Sequence, residues 1–472
     1  MNVFFGAPSK SSKRPDVSLE QMSDEVLIIG GGFAGLTAGV ALADAGQRVR
    51  LLEQRPHLGG RAFSFPESNT GSIVDNGQHL FMGCYHQTKR FLETIGTIDR
   101  VQFQPVLSVP FLDANGKLTK LACPRLPAPW HLFLGLLGSD SFAWGEKLGA
   151  LRMKRAISAK HASNGFRRLT VDKWLASLGQ SDSMRRNFWD LICIAAMNEQ
   201  PSVAAAELFQ RVLKLALFSS LEDSRLGIAR VGLSECYTEA ATNFIVARGG
   251  RVELSCGVRN LLVSDGACGG VVLVSGETIP AKTVLSTAPW HKFITLLPDS
   301  LLRSEPFFTN ILALEPAPII SINLWLDRPV TDLEFAGLRG TTIQWLFNKS
   351  IIFSEGGRQA GGARPHYLSL VLSGAHEHIA RSKEELLAIA VNDLQKLLPA
   401  MSEAKLVHSL VIKERYATFS PAVGVNALRP RAVTPVRGLY LAGDWTDTGL
   451  PATIEGAIQS GYTAAQEILV NE

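Results

Sequence analysis

A chain of 472 residues is longer than one core usually serves, and implies two or three folding units. Hydrophobic residues make up 46% and charged ones 19%, so a large core can form and disorder is not the default. A net charge of +4 over this length argues against a dedicated nucleic-acid binder, which carries a basic face. The six cysteines lack CxxC or zinc spacing and read as reduced thiols of a cytoplasmic protein.

Residues 1–23 are polar, read as a frayed tail, and contain no apolar stretch of signal-peptide length. No apolar run reaches the ~18 residues that span a bilayer, so any membrane contact is expected to be peripheral. The first element is the apolar run Val26-Leu27-Ile28-Ile29, which reads as a central parallel strand. It enters Gly30-Gly31-Gly32-Phe33-Ala34-Gly35, in which Gly30, Gly32 and Gly35 fit G-x-G-x-x-G. A helix is expected over 34–45, closed by Gly46, and then a strand over 48–52 ending at Glu53. The three glycines permit a tight turn, a close approach of backbone to a pyrophosphate, and close packing of helix on strand. The helix N-terminus supplies free N–H groups and partial positive charge. Glu53 suits a ribose 2′-OH and disfavours a 2′-phosphate. Strand, turn, helix, strand and acid in this order make the motif a strong dinucleotide signal.

Past the acid come Gln54 and the stretch Pro56-His57-Leu58-Gly59-Gly60-Arg61. Here the chain resembles the FAD-dependent amine oxidase and carotenoid desaturase superfamily, whose members place a GG(R/K) element along the dinucleotide. The late stretch Leu439-Tyr440-Leu441-Ala442-Gly443-Asp444, followed by Thr453-Ile454-Glu455-Gly456, resembles the strand and helix that close the same site. The resemblance implies that Asp444 contacts the ribityl–phosphate region. It also implies that the helix opening at Thr453 and Ile454 points its N-terminus at the flavin. Thr453 suits an N-cap. Residues 249–258 resemble the segment whose backbone, at Val258, holds the adenine, and 282–289 the strand that closes the cofactor domain.

The expected architecture is α/β. It has a discontinuous Rossmann-like FAD-binding domain (24–90, 245–300 and 405–472) and a mixed α+β substrate or lid domain (91–244 and 301–404). In the latter, Thr170 opens a helix and residues 203–218 form a long apolar-faced helix. Residues 318–325 and 367–372 are expected strands, and Ser382-Lys383-Glu384-Glu385 is a capping box.

Narrower resemblance comes from Asp75-Asn76-Gly77-Gln78-His79-Leu80, Ala195-Ala196-Met197-Asn198-Glu199-Gln200-Pro201, Gln344-Trp345-Leu346-Phe347, Glu414-Arg415-Tyr416-Ala417-Thr418-Phe419 and Gly443-Asp444-Trp445-Thr446. On these the chain resembles the hydroxysqualene dehydroxylase family of bacterial hopanoid synthesis. It departs from that pattern at Trp189-Asp190-Leu191, where a proline is expected. The resemblance implies FAD as cofactor and reductive loss of hydroxyl from a C30 allylic alcohol, hydroxysqualene, to give squalene. Such a reaction needs a proton donor and a dry pocket. His79, Asp75 and Asp447 are the candidates, with His79 first; Tyr85 reads as a wall residue. A backbone-holding role for Asp75 and a structural role for His79 are equal alternatives. Trp345, Phe347, Trp189 and Trp445 could face the cation, or simply pack.

No second G-x-G-x-x-G is visible, so electrons come from an external donor or from transient NAD(P)H. A C30 hydrocarbon implies loading from a bilayer at the inner face of the cytoplasmic membrane. The apolar segment 126–137 is a candidate docking element. It lies beside Lys147, Arg152, Lys154, Arg155, Lys160, Arg167 and Arg168, with no acid from 147 to 168. The rival readings are a carotenoid-type desaturase, an amine oxidase and a non-catalytic isoprenoid carrier. No aromatic pair demands an amine cage, and the intact glycines with Glu53 and Asp444 argue against a carrier.

Overall fold

The computed structural model describes residues 23–139, 144–158, 164–354 and 365–471. The tail before residue 23 and Lys160 lie outside these residues. Two seven-stranded sheets organise them. In the first, strand Ser23–Ile29 lies between Val49–Leu52 and Thr278–Ser286, both parallel to it. Arg251–Glu253 extends one side, and Leu439–Leu441 pairs in parallel with Thr278–Ser286. An antiparallel meander of Val258–Ser264 and Ala267–Leu273 completes it. The central parallel strands are apolar where both of their faces are covered, as at 26–29 and Leu439–Leu441, whereas the edge strand Arg251–Glu253 is not buried.

Helix Phe33–Asp44 starts one residue earlier than expected and ends before Gly46, whose φ of +88° suits the position after a helix cap. Helices Ile454–Asn471 and Leu233–Ala247 pack on it. Close approach requires small residues. A Cβ at Gly461 would lie 2.5 Å from the Ala34 carbonyl oxygen, and one at Gly39 would lie 2.8 Å from Ile245.

The second sheet runs in the order Leu406–Phe419, Pro316–Leu326, His366–Ser373, Trp345–Asn348, Phe335–Arg339, Ser108–Asp113, Leu118–Ala122. Helix Lys383–Leu397 opens with the expected capping box, Ser382 and Glu385 each satisfying the other's backbone N–H. Thr170 caps Val171–Ser177. The expected helix over 203–218 begins only at Ala206. The preceding residues turn at Pro201 and dock on the second sheet's edge, with the Ala205 N–H donating to Pro421 O at 2.8 Å. At the departure from the family pattern, Arg185–Trp189 forms a π-helical turn, leading into helix Asp190–Met197.

Two elements fall outside the units expected from the sequence. Strand Leu406–Phe419 joins the second sheet, pairing along Pro316–Leu326, although residues 405–472 were assigned to the first unit. Ten paired residues along Pro316–Leu326, with two register shifts, outweigh proximity in sequence to the closing strand. The boundary expected at 244/245 cuts helix Leu233–Ala247, placing residues 233–244 in the second unit, yet the helix buries Leu233, Cys236, Tyr237, Ala241 and Ile245 beside the first sheet. Its Tyr237 ring stacks on Phe33 at 3.7 Å between centroids.

Candidate flavin and substrate site

The glycine-rich turn closes the C-terminal end of the central strand. Gly30 takes a φ of +104°, open mainly to glycine, and Thr287 Oγ1 donates to both the Ile29 and Gly30 carbonyls. A Cβ at Gly35 would stand 1.9 Å from the Gly30 oxygen, so this turn and helix pack only with glycine there. Glu53 is buried. Its Oε2 accepts from the Gly31 N–H at 2.8 Å and its Oε1 from Arg55 N–H at 2.9 Å, so it fixes the turn while each oxygen keeps a further lone pair. Gln54 is exposed beside it.

Phe33, Ala34 and Gly35 are buried at the helix start, and no side chain caps Gly32. A buried, uncapped helix N-terminus leaves N–H groups for a ligand. A Cβ at Gly32 would meet only Gly60 backbone, at 3.7 Å, and one at Gly60 would approach Gly32 Cα at 3.1 Å. The two glycine-rich segments therefore pack backbone to backbone, with Gly59 N–H donating to Gly31 O at 2.9 Å. A helix N-terminus with free N–H groups, bordered by an acid, fits a dinucleotide. Gly59 carries a φ of +113°, and its carbonyl accepts from Tyr237 Oη at 3.0 Å. Val258 begins the meander close by, where Cys256 N–H donates to Glu53 O at 2.8 Å.

Arg61 links the early and late stretches. Its guanidinium pairs with the Asp444 carboxylate, 383 positions away, and donates to Ala417 O at 3.0 Å. Gly443, with a φ of +142°, donates its N–H to Ser460 Oγ at 2.8 Å. Thr453 is the N-cap foreseen: its Oγ1 accepts from Gly456 N–H at 3.0 Å, and Ile454 opens the helix. Glu455 does more than face its own helix dipole. Its carboxylate accepts from Gln87 N–H, Thr88 N–H and Thr88 Oγ1 at 2.7–2.9 Å, capping helix His86–Thr94. Sequence reasoning missed Arg429, which is buried and donates to Asp444 O at 3.0 Å, Leu450 O at 2.8 Å and Thr448 Oγ1 at 2.9 Å. Burial brings its pKa down to about 10, against the opposing charges of Asp447 and Asp444. A lone arginine before Pro430 gave no signal of this role.

A second cluster is charged and buried. Asp75 Oδ2 pairs with Lys349 Nζ at 2.8 Å, and Asp75 Oδ1 accepts from Ser64 Oγ at 2.7 Å and Leu233 N–H at 3.0 Å. Asp75 thus holds three distant elements together, not its own loop. Lys349 also donates to Gln78 Oε1 at 2.8 Å and lies 4.2 Å over Phe353. Lys349 was missed, although it stands two residues past Gln344-Trp345-Leu346-Phe347. A lysine straight after a buried apolar strand was the available signal.

His79 Nδ1 lies 2.9 Å from the Gly77 carbonyl oxygen, so Nδ1 carries the proton and Nε2 is the acceptor of the neutral ring. Burial lowers its pKa; Asp75 opposes that shift, while Lys349 and Arg61 add to it. Asp447 is exposed, with its N–H on Pro430 O at 2.8 Å, and it stands apart from the Asp75–Lys349 contacts. Tyr85 packs partly buried against the first sheet's helix layer, and burial pushes its phenol up. Among the aromatics, Trp445 donates to Ala288 O and Trp189 to Gln180 Oε1, both from buried positions. Phe347 stacks on Phe335. Trp345 Nε1 is buried without a hydrogen-bond partner.

Comparison with known proteins places this geometry. Residues 33–469 match the family model described as flavin containing amine oxidoreductase. A hydroxysqualene dehydroxylase of Rhodopseudomonas palustris is 30% identical over 455 residues, covering 95% of this chain and 99% of that protein. A chloroplastic/chromoplastic 15-cis-phytoene desaturase of Capsicum annuum is 28% identical, covering 99% of this chain and 80% of that protein. The crystal structure of an oxidoreductase from Methanosarcina mazei superposes with a TM-score of 0.71 at 17% identity, covering 94% of this chain and all of that one. The cofactor is FAD, and the chain is an FAD-dependent oxidoreductase that belongs to the flavin containing amine oxidoreductase family.

Proposed function

We propose that the protein reduces hydroxysqualene, a C30 allylic alcohol, to squalene with loss of water. The observation carrying this reading is the full-length similarity to hydroxysqualene dehydroxylases, at 30% identity over 95% of the chain. FAD would be held by Gly30, Gly32, Phe33, Ala34 and Gly35 at its pyrophosphate, by Glu53 at a ribose, and by Gln54 and Val258 beside the adenine. Gly59, Gly60, Arg61, Gly443 and Asp444 would line its middle, with Thr453 and Ile454 at the flavin end. When bound and reduced, FAD supplies hydride.

Loss of hydroxyl needs a proton on the leaving oxygen. Asp75, paired to Lys349, is an acceptor only. Exposed Asp447 lies in water, where it cannot keep a cation dry. His79 fits better: Gly77 fixes its tautomer, so Nε2 is the atom that takes up and hands over a proton. A lowered pKa makes the protonated ring a strong donor. Partly buried Trp345 and buried Phe347 would exclude water and face developing positive charge.

Anaerobic turnover of hydroxysqualene with photoreduced flavin tests the reading. His79→Ala should lose 10²-fold or more, on the order expected for a general acid. Unchanged turnover would remove His79, and no squalene from wild type would end the proposal. The second reading is a carotenoid-type desaturase, favoured by phytoene desaturases matching 98–99% of the chain at 26–28% identity. Oxidised enzyme given phytoene, with desaturated product, would select it.

A further inference from the structure

Two of the eight tryptophans, Trp130 and Trp144, are exposed, at 53% and 70%. Trp130 opens helix Trp130–Leu137, and Leu134, one turn on and on the same face, is 44% exposed. Trp144 begins helix Trp144–Ser158. Lys147 Nζ sits 4.9 Å over the Trp144 ring and donates to Leu137 O at 2.8 Å, which ties Trp144 to the far end of the first helix. The three apolar side chains thus span a helix of about 12 Å. Lys154 Nζ lies 4.8 Å over Trp130. Arg152, Lys154 and Arg155 are exposed on helix Trp144–Ser158, and Arg167 and Arg168 are exposed at the end of the short helix Asn164–Arg167. The facing acids are occupied: Glu146 accepts from Ser181 Oγ at 2.7 Å, and Glu207 pairs loosely with Arg167. Lys147 itself is buried, so it serves the fold rather than a partner.

The inner side of these helices differs. Leu132, Phe133, Leu136, Met153 and Ile157 belong to one continuous buried cluster with Trp445, the residue after Asp444. Apolar packing therefore runs unbroken from the exposed tryptophans' helices to the cofactor loop.

We propose that the outer face carrying Trp130, Leu134 and Trp144 docks on an anionic lipid bilayer. Tryptophans flanked by cations match the headgroup layer in polarity and in charge. Among the described residues no helix is long and apolar enough to cross a membrane, which leaves docking in the plane as the mode of contact. The inference rests on the isoprenoid reading for its purpose, since a C30 substrate resides in lipid.

The test is sedimentation of the FAD-loaded protein with vesicles of phosphatidylcholine alone and with added phosphatidylglycerol. Wild type should bind the anionic vesicles and release in high salt. Replacing Arg152, Lys154 and Arg155 together by Gln should weaken binding about 10²-fold, at roughly fivefold per cation. Trp130→Ser with Trp144→Ser should abolish most of it, with circular dichroism unchanged. No binding by wild type, or equal binding by both variants, overturns the proposal. So does a dimer that the same substitutions dissociate, which would assign the face to a second copy. Binding is read without substrate, and turnover of detergent-dispersed hydroxysqualene is read without vesicles, so the two proposals fail separately.

Discussion

Replacing Lys349 by Met removes the cation from a pair that water barely reaches, the side chains of Lys349 and Asp75 being 2% and 6% exposed. Asp75 keeps two donors, Ser64 Oγ and Leu233 N–H, but not its counter-charge. Breaking a buried pair from one side costs about 3–5 kcal/mol, because a charge is left uncompensated. Lys349→Met should therefore destabilise by that amount, and Asp75→Asn similarly. In the double variant no charge is stranded and methionine fills the stem's volume. It should be less destabilised than the sum of the singles by 1 kcal/mol or more, a coupling on the order typical of contacting residues. Equilibrium urea unfolding reads this, with coincident fluorescence and circular dichroism confirming one transition. Removing Lys349 also removes a like charge from His79, whose pKa should rise in a histidine NMR titration. Strict additivity of the two substitutions, or a His79 shift downward, would refute the argument.

Gly35→Ala drives a Cβ to 1.9 Å from the Gly30 carbonyl oxygen and should cost most of the bound flavin, read as visible absorbance per protein. Gly165→Ala, with open space around it, should leave flavin content unchanged; equal effects would refute the packing account. Glu67 titrates at about 2: burial alone would raise it, but is outweighed by the Asn69 and Thr70 N–H groups and the Thr70 hydroxyl. A depressed folded pKa stabilises above the unfolded value of ~4.3 and is lost as pH falls toward ~2. Glu67→Gln should flatten the stability–pH curve in that window, and an unaltered acid limb would contradict it.

The dinucleotide turn was legible at both ends of the chain because its determinants are local. Gly30, Gly32 and Gly35 answer to backbone sterics within six residues, and Thr453 caps the helix that follows it directly. The capping box at Ser382 and the apolar strands are local in the same way. Charge pairing across the fold has no such signature. Arg61 and Asp444 are each visible as single residues, and only the first sheet, which brings the segments after Val49–Leu52 and Leu439–Leu441 together, makes them partners. Lys349, Arg429 and the second role of Glu455 escaped for the same reason. The need for each arises from another element's buried charge or open helix end. The membership of Leu406–Phe419 and Leu233–Ala247 was likewise decided by the neighbours they bury against. Sequence periodicity marks which face of an element is apolar, while the energy that selects its partner comes from residues hundreds of positions away.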